Sequence, residues 1–198
     1  TRMADELPPP RNNQELDLEE RVRDVLAALN LQEIATYRLT SPEREARRLP
    51  LDTPPDDKPY VQLVNPIASD RVVLRHSLLA SVMEVIERNA RLRERQALFE
   101  IGPVYLGSED SNLPEEQPRL VIAMTGPRAL PSWQNADNTP MDFYDLKGLL
   151  ASLFDALHIT GVHYEPHEHP SFHPGKCARV MVAVEDKPGK QQLGVMGE

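Results

Sequence analysis

The 198-residue sequence is long enough to bury a substantial core in one domain. Its formal net charge of -9 excludes a general nucleic-acid-binding protein, because phosphate contacts need lysine and arginine, but leaves room for a local basic patch. The single cysteine, Cys177, excludes an internal disulfide framework and fits a reducing cytosol. No apolar run approaches the about 20 residues of a membrane-spanning helix. We therefore expect a cytoplasmic protein that does not contact a membrane.

Both ends of the sequence predict a piece of a longer protein. Residues 1–13 contain the run Pro8-Pro9-Pro10 and predict an extended leader from a preceding module. The last residues, Gly197-Glu198, directly follow an apolar, strand-like run. Because no internal repeat and no long linker divides the chain, we expect one core domain over residues 14–198, cut at its C-terminal end.

The first half of the chain predicts helices separated by short strands. An amphipathic helix is predicted over residues 16–29, where apolar residues recur at helical spacing (Leu18, Val22, Val25, Leu26 and Leu29). Local patterns then predict a strand over residues 34–39, a short helix beginning at Ser41-Pro42, and a strand over residues 60–64. A second long helix is predicted over residues 76–92, with an arginine-rich end that suits a helix C-terminus.

The second half predicts a strand-rich region around one helix. Strands are predicted over residues 97–105, 119–125, 162–165, 178–184 and 192–196. Asp142 is placed to cap a helix whose apolar residues follow the i, i+3, i+4 pattern (Leu146, Leu149, Leu150, Leu153, Phe154 and Leu157). Short connections favour antiparallel pairing. The sequence therefore predicts an α+β fold with a mainly antiparallel sheet flanked by helices.

Residues 65–106 resemble the second signature motif of class II aminoacyl-tRNA synthetases. In that motif, a strand reading roughly F-E-I-G-x-V-F-R-x-E carries an arginine that grips the ATP α-phosphate and a glutamate that shapes the adenine site. Six positions match: Phe99, Glu100, Ile101, Gly102, Val104 and Tyr105. Leu106 stands in place of the arginine and Ser108 in place of the glutamate, and leucine cannot bind phosphate. The resemblance therefore implies a class II synthetase-like core without catalytic residues.

Residues 29–42 resemble the first signature motif of the same enzymes, which builds a subunit interface. The resemblance implies interface roles for Leu26, Leu29, Tyr37 and Pro42. From the residues alone, a helix with an apolar face that leads into a strand is equally a common core unit, so Leu26 and Leu29 could serve the core instead.

Two further segments resemble one branch of this family, the β subunit of bacterial phenylalanyl-tRNA synthetase. They read M-D-F-Y-D-L-K-G over residues 141–148 and H-P-S-F-H-P-G-K-C-A over residues 169–178. In the second, Lys176 replaces an arginine and Cys177 a serine. The resemblance implies a non-catalytic module that packs with the α subunit and supports ATP-dependent attachment of phenylalanine to tRNA(Phe). ATP and Mg²⁺ are then implied for the whole enzyme, and no cofactor for this chain.

Four histidines, His163, His167, His169 and His173, invite a metal site, because zinc accepts such ligands at short spacing. Their spacing matches no zinc signature, and the prolines between them disfavour a helix that could align them. We therefore expect no metal site in this segment.

The best candidate for contacting phosphate is a run of arginines, Arg88, Arg91, Arg93 and Arg95, with Arg71 and Arg75 earlier in the sequence. Such a run could contact tRNA or an acidic partner surface. A solvated helix end explains the same pattern equally well.

Three classes of function follow from these patterns. The first is the non-catalytic core of a tRNA ligase. The second is a stand-alone class II synthetase-like paralogue that acts as a small-ligand-binding or interaction module. The third is a metal-binding module on the histidine-rich segment. In the first case, apolar surface meant for the α subunit could make the isolated domain form a homodimer.

Overall fold

Four helices and eight strands follow one another in the described part of the chain. The computed structural model describes residues 12–51, 53, 59–107, 113–130, 132–134, 138–183 and 189–198. Ser108 and most of the predicted leader lie outside the described residues. The elements are α1 (Gln14–Ala28), β1 (Gln32–Glu33), β2 (Leu39–Thr40), α2 (Pro42–Ala46), β3 (Val73–Leu74), α3 (Leu79–Asn89), β4 (Gln96–Leu106), β5 (Glu115–Thr125), α4 (Phe143–Ala156), β6 (Val162–Pro166), β7 (Cys177–Ala183) and β8 (Lys190–Gly197).

The strands of the described residues form three small sheets. In the first, β4 pairs with β5 along eleven residues as an antiparallel hairpin, and β1 adds to the other edge of β4 in parallel. In the second, β6, β7 and β8 form an antiparallel meander. The third is the antiparallel pair of β2 and β3. The predicted α+β class with mainly antiparallel pairing is confirmed.

Helix α4 packs against both three-stranded sheets. One apolar cluster joins α1 and α4 to the β4–β5 hairpin through Leu26, Leu31, Ala97, Phe99 and Leu153. A second joins α4 to the meander through Ala178, Val180 and Met196. Leu150 of α4 contacts both clusters. The helix begins where the sequence predicts, because the Asp142 carboxylate accepts hydrogen bonds from the Tyr144 and Asp145 backbone in a capping box.

Two predicted strands are shorter than expected. Residues 34–39 do not form one strand, because the backbone N–H of Thr36 donates to the Glu100 carboxylate instead of to a neighbouring strand. Residues 60–64 contribute only an isolated bridge between Gln62 and Val73. The apolar residues of this segment are not buried as in a core strand, since Leu63 is 37% and Val64 is 94% exposed. The second segment is held by backbone hydrogen bonds, from the Leu63 N–H to the Val72 carbonyl and from the Leu74 N–H to the Val61 carbonyl, both at 2.9 Å.

Replacing Leu26 with alanine should lower the free energy of unfolding by about 2–5 kcal/mol, because the side chain is fully buried among α4 and β4 residues. Leu18 lies on the same helix and is 55% exposed, so Leu18→Ala should change stability by no more than about 0.5 kcal/mol. Urea denaturation of both variants measures the difference. Equal losses would contradict the assignment of Leu26 to the core.

Candidate functional site

A buried ion pair lies at the strand that resembles the second class II motif. Arg75, 1% exposed, and Glu100 of β4, 2% exposed, pair with an Nη1–Oε1 distance of 2.7 Å. Arg75 also donates from Nε to the Pro103 carbonyl at 3.0 Å and from Nη1 to the Thr36 hydroxyl at 3.0 Å. Thr36 in turn donates to Glu100 through its backbone N–H and its hydroxyl. Both side chains can stay charged although they are buried, because further hydrogen bonds satisfy each of them.

Gly102 makes room for this pair. A Cβ atom at position 102 would lie 2.5 Å from Nη2 of Arg75, so the guanidinium occupies the space that a side chain would need. The backbone of Arg75 is also tied to the strand, since its carbonyl accepts from the N–H of Tyr105 at 3.0 Å. The predicted phosphate contact of Arg75 is therefore wrong, because the guanidinium is buried and used within the chain.

The end of the hairpin carries negative charge where the resemblance would place phosphate-binding groups. Leu106 is half-buried and pairs across the ladder with Glu115, while Tyr105 pairs with Glu116. Both glutamates are exposed. An apolar side chain beside two carboxylates offers ATP phosphates no attraction. This part of the hairpin therefore presents an apolar and acidic surface at the positions where the resembled motif has phosphate-binding groups.

A second buried carboxylate fixes the turn that follows Arg75. Glu45 of α2 is 1% exposed, and its Oε1 accepts from the backbone N–H groups of His76 at 3.2 Å and Ser77 at 3.3 Å. Burial raises the pKa of Glu45, and the two backbone donors partly offset that rise. The His76 ring stacks on Tyr60, with centroids 4.0 Å apart. Sequence reasoning missed Glu45, because nothing in its local pattern marks it as buried.

The four predicted interface residues are placed very differently. Leu26 has no exposed surface, so its side chain belongs to the core and is not available to a partner. Leu29 packs against the same cluster and is half-buried, and Pro42 is the half-buried first residue of α2. Tyr37 is 71% exposed, with the Arg71 guanidinium 4.3 Å from its ring centroid. Tyr37 is therefore the residue of the four with a large accessible surface.

Polar side chains of the histidine-rich segment contact other side chains of the same sheet. His163 Nε2 lies 3.2 Å from Glu165 Oε1, which also accepts from Lys190 Nζ at 2.7 Å. The lysine lowers the pKa of Glu165, while burial lowers the pKa of His169. Within the described ranges, no group of three histidine, cysteine, aspartate or glutamate side chains is arranged to hold a metal ion.

An open cavity of about 580 Å³ lies between α3, β5 and the start of α4. Its wall is largely apolar and includes Met83, Phe143 and Phe172, with Glu84 and Glu198 among its carboxylates. Glu198 is already engaged, because it accepts from the Phe143 N–H at 2.9 Å and pairs with Lys176. The lining comes from segments far apart in sequence, so no local motif could have predicted it.

Comparison with known families decides which synthetase core this is. The profile described as "Phenylalanyl tRNA synthetase beta chain CLM domain" matches residues 1–198. The chain belongs to this family. The β subunit of phenylalanine–tRNA ligase from Syntrophus aciditrophicus is 34% identical over 193 residues, and that from Symbiobacterium thermophilum is 36% identical over 178 residues. These matches cover 96% and 89% of the chain but only 23% and 19% of the relatives, so the chain spans about a quarter of their length or less.

Solved structures place the CLM domain in the class II synthetase fold. Pyrrolysyl-tRNA synthetase from Desulfitobacterium hafniense superposes with a TM-score of 0.60 at 18% sequence identity. The match covers 88% of this chain and 56% of that protein. A second structure of pyrrolysyl-tRNA synthetase from the same organism gives a TM-score of 0.59. At this identity the likeness concerns the fold alone. Among the described residues, no helix is both long and apolar enough to cross a membrane.

Removing either member of the Arg75–Glu100 pair should destabilise the CLM domain strongly. Glu100→Gln and Arg75→Met should each lower the free energy of unfolding by about 3–5 kcal/mol, because each leaves buried polar partners unsatisfied. The double variant should lose less than the sum of the single losses, because neither charge then remains alone. Chemical denaturation of the four proteins measures this coupling. Strictly additive losses would show that the pair does not act as a unit.

The raised pKa of Glu45 predicts a pH dependence of stability. Native Glu45 keeps its proton above the ordinary value of 4.5, whereas the unfolded chain releases it there. The contribution of this group to stability therefore falls as pH rises from about 4.5 through the raised pKa. Glu45→Gln removes the titration but keeps an acceptor for His76 and Ser77. The stability of the wild type relative to this variant should decline across that window in pH-dependent denaturation. A constant difference would contradict the assignment.

Proposed function

We propose that this CLM domain is a non-catalytic part of phenylalanyl-tRNA synthetase. In this role it packs with the α subunit and supports the ATP-dependent attachment of phenylalanine to tRNA(Phe). The observation that carries the proposal is Leu106, which stands at the arginine position of the motif-like strand and offers phosphate no hydrogen bond. The buried Arg75–Glu100 pair fits the same role, because these two charged groups are used to hold the fold together.

The electrostatics of the hairpin support the same assignment. Activation of an amino acid by ATP needs cations or preorganised donors aimed at the phosphates. At the hairpin end, Leu106 lies across from Glu115, and Glu116 adds a second exposed carboxylate. We therefore assign phenylalanine activation, and with it ATP and Mg²⁺, to the α subunit of the whole enzyme. As a translation component, the protein would act in the cytoplasm.

The surface around Tyr37 is our candidate for contact with the α subunit. Tyr37 follows β1, is largely exposed, and is held in place from one side by the Arg71 guanidinium, which itself donates to the Leu39 carbonyl at 3.1 Å. A rigid aromatic beside an arginine is the composition typical of residues that dominate binding energy at protein interfaces. Without the α subunit, the same surface could pair two copies of the domain.

The comparisons do not favour a stand-alone paralogue, because the relatives described above carry the name of a ligase β subunit. The cavity beside α3 is the one observation in favour of a ligand-binding module. Its carboxylate at Glu198 is already engaged by Phe143 and Lys176, which leaves fewer polar groups to orient a ligand.

The CLM domain, within its natural polypeptide, should co-purify with the α subunit, and Tyr37→Ala should weaken that complex by about tenfold. Tyr144 offers a matched control, because it is 72% exposed on α4, and Tyr144→Ala should leave the affinity unchanged. Analytical ultracentrifugation or surface binding measures both.

The domain without the α subunit should show no phenylalanine-dependent exchange of pyrophosphate into ATP. Exchange by the domain alone would overturn the non-catalytic assignment. Failure of the wild-type polypeptide to bind the α subunit would overturn the assembly role. Equal weakening by both tyrosine variants would remove Tyr37 from the interface.

A further inference from the structure

The end of α3 and the turn that follows it concentrate positive charge in an acidic chain. This segment, residues 88–95, is called the basic turn below. It contains four arginines and one glutamate, which gives a formal charge of +3 within a chain of net charge -9. Arg88, Arg91 and Arg93 are exposed and Arg95 is half-buried. The basic turn is therefore a local exception to the charge of the molecule.

The arginines of the basic turn differ from arginines elsewhere in the fold, which form ion pairs. Arg23, Arg44 and Arg128 each form ion pairs with carboxylates of their own chain. Among the described residues, by contrast, no carboxylate lies within ion-pair distance of an arginine of the basic turn. Unpaired guanidinium groups at the surface are available to an external anion without first breaking an internal contact.

The backbone of the basic turn is fixed from three directions. The N–H groups of Leu92 and Arg93 both donate to the Asn89 carbonyl at 2.9 Å. The Gln96 side chain donates to the Ile86 carbonyl at 3.1 Å and so links the strand to α3. Gly126, with φ of 91°, packs so closely that a Cβ there would lie 2.1 Å from the Glu94 carbonyl oxygen. The arginines therefore project from a preorganised backbone, which reduces the entropy lost on binding.

We propose that the basic turn contacts the phosphate backbone of tRNA(Phe) in the assembled synthetase. The proposal rests on the function proposed above and adds to it a place where this domain meets RNA. Guanidinium groups bind phosphate oxygens with two parallel hydrogen bonds. The rest of the chain carries net negative charge, so attraction of a polyanion would be focused on this turn.

An acidic protein surface is the weaker candidate for the same turn. Protein interfaces are built around an apolar core, whereas the basic turn exposes a single large apolar side chain, Leu92, which is 82% exposed. The turn also contains no aromatic residue that could stack on a base. The contact should therefore recognise the RNA backbone and not its sequence.

The experiment measures binding of a tRNA(Phe) transcript to the complex of the α subunit with the full β polypeptide, over a range of salt concentrations. Arg91→Gln with Arg93→Gln should weaken binding about tenfold, and the dependence of log Kd on log salt should become shallower by roughly 1.5. Arg119→Gln with Arg179→Gln removes the same charge from exposed positions elsewhere and should leave both quantities unchanged. Arg91→Lys with Arg93→Lys should keep most of the salt dependence, because the charge remains.

Three results would overturn this inference and leave the proposed function standing. An unchanged salt dependence in the Arg91/Arg93 glutamine variant would show that the turn does not meet phosphate. Weaker association with the α subunit, without a change in tRNA binding, would assign the turn to a protein interface instead. Equal losses in the Arg119/Arg179 control would show a general effect of net charge. Failure of the wild-type subunits to associate is a separate result, which would overturn the proposed function and this inference with it.

Discussion

The Arg75–Glu100 pair is the interaction on which the arrangement of the hairpin depends. Through Thr36 it fixes the segment between β1 and β2, and through Pro103 and Tyr105 it fixes the strand β4 itself. Two charges removed from water are costly, and they are retained here because each finds several further partners. The pair thus holds together three segments that are distant in sequence: the residues around Thr36, the residues around Arg75, and strand β4.

This arrangement gives the matching residues of the motif a structural explanation. Glu100 balances the buried arginine, and Gly102 leaves space for its guanidinium. Both positions match the synthetase pattern, although the catalytic position that follows is Leu106. The frame of a motif can therefore persist where its chemistry is absent, because part of that frame serves packing and charge compensation. Resemblance of sequence at such positions reports the fold more directly than it reports activity.

The sequence predicted the long elements well and the buried polar contacts poorly. The sequence predicts helices α1 and α4 because their apolar residues repeat at helical spacing, and it predicts the cap of α4 at Asp142. The cap of α1 at Asn13 is visible only in the structure. The burial of Arg75 could not be predicted, because its partners Thr36 and Glu100 are 39 and 25 residues away. The sequence places Arg75 in a cluster of arginines, whereas the fold places the Glu100 carboxylate beside it. Leu26 illustrates the same limit, since periodicity marks an apolar face without saying whether the core or a partner covers it.

Helix α4 couples the stability of the two three-stranded sheets. Leu150 contacts the apolar cluster of the β4–β5 hairpin and also the cluster of the β6–β7–β8 meander. Neither three-stranded sheet is large enough to bury much apolar surface by itself. Because one helix completes both cores, local opening of either sheet exposes part of the other, and the two should unfold as a single cooperative unit. A change that loosens one sheet, such as a cavity in its cluster, would therefore also lower the stability of the other sheet through Leu150.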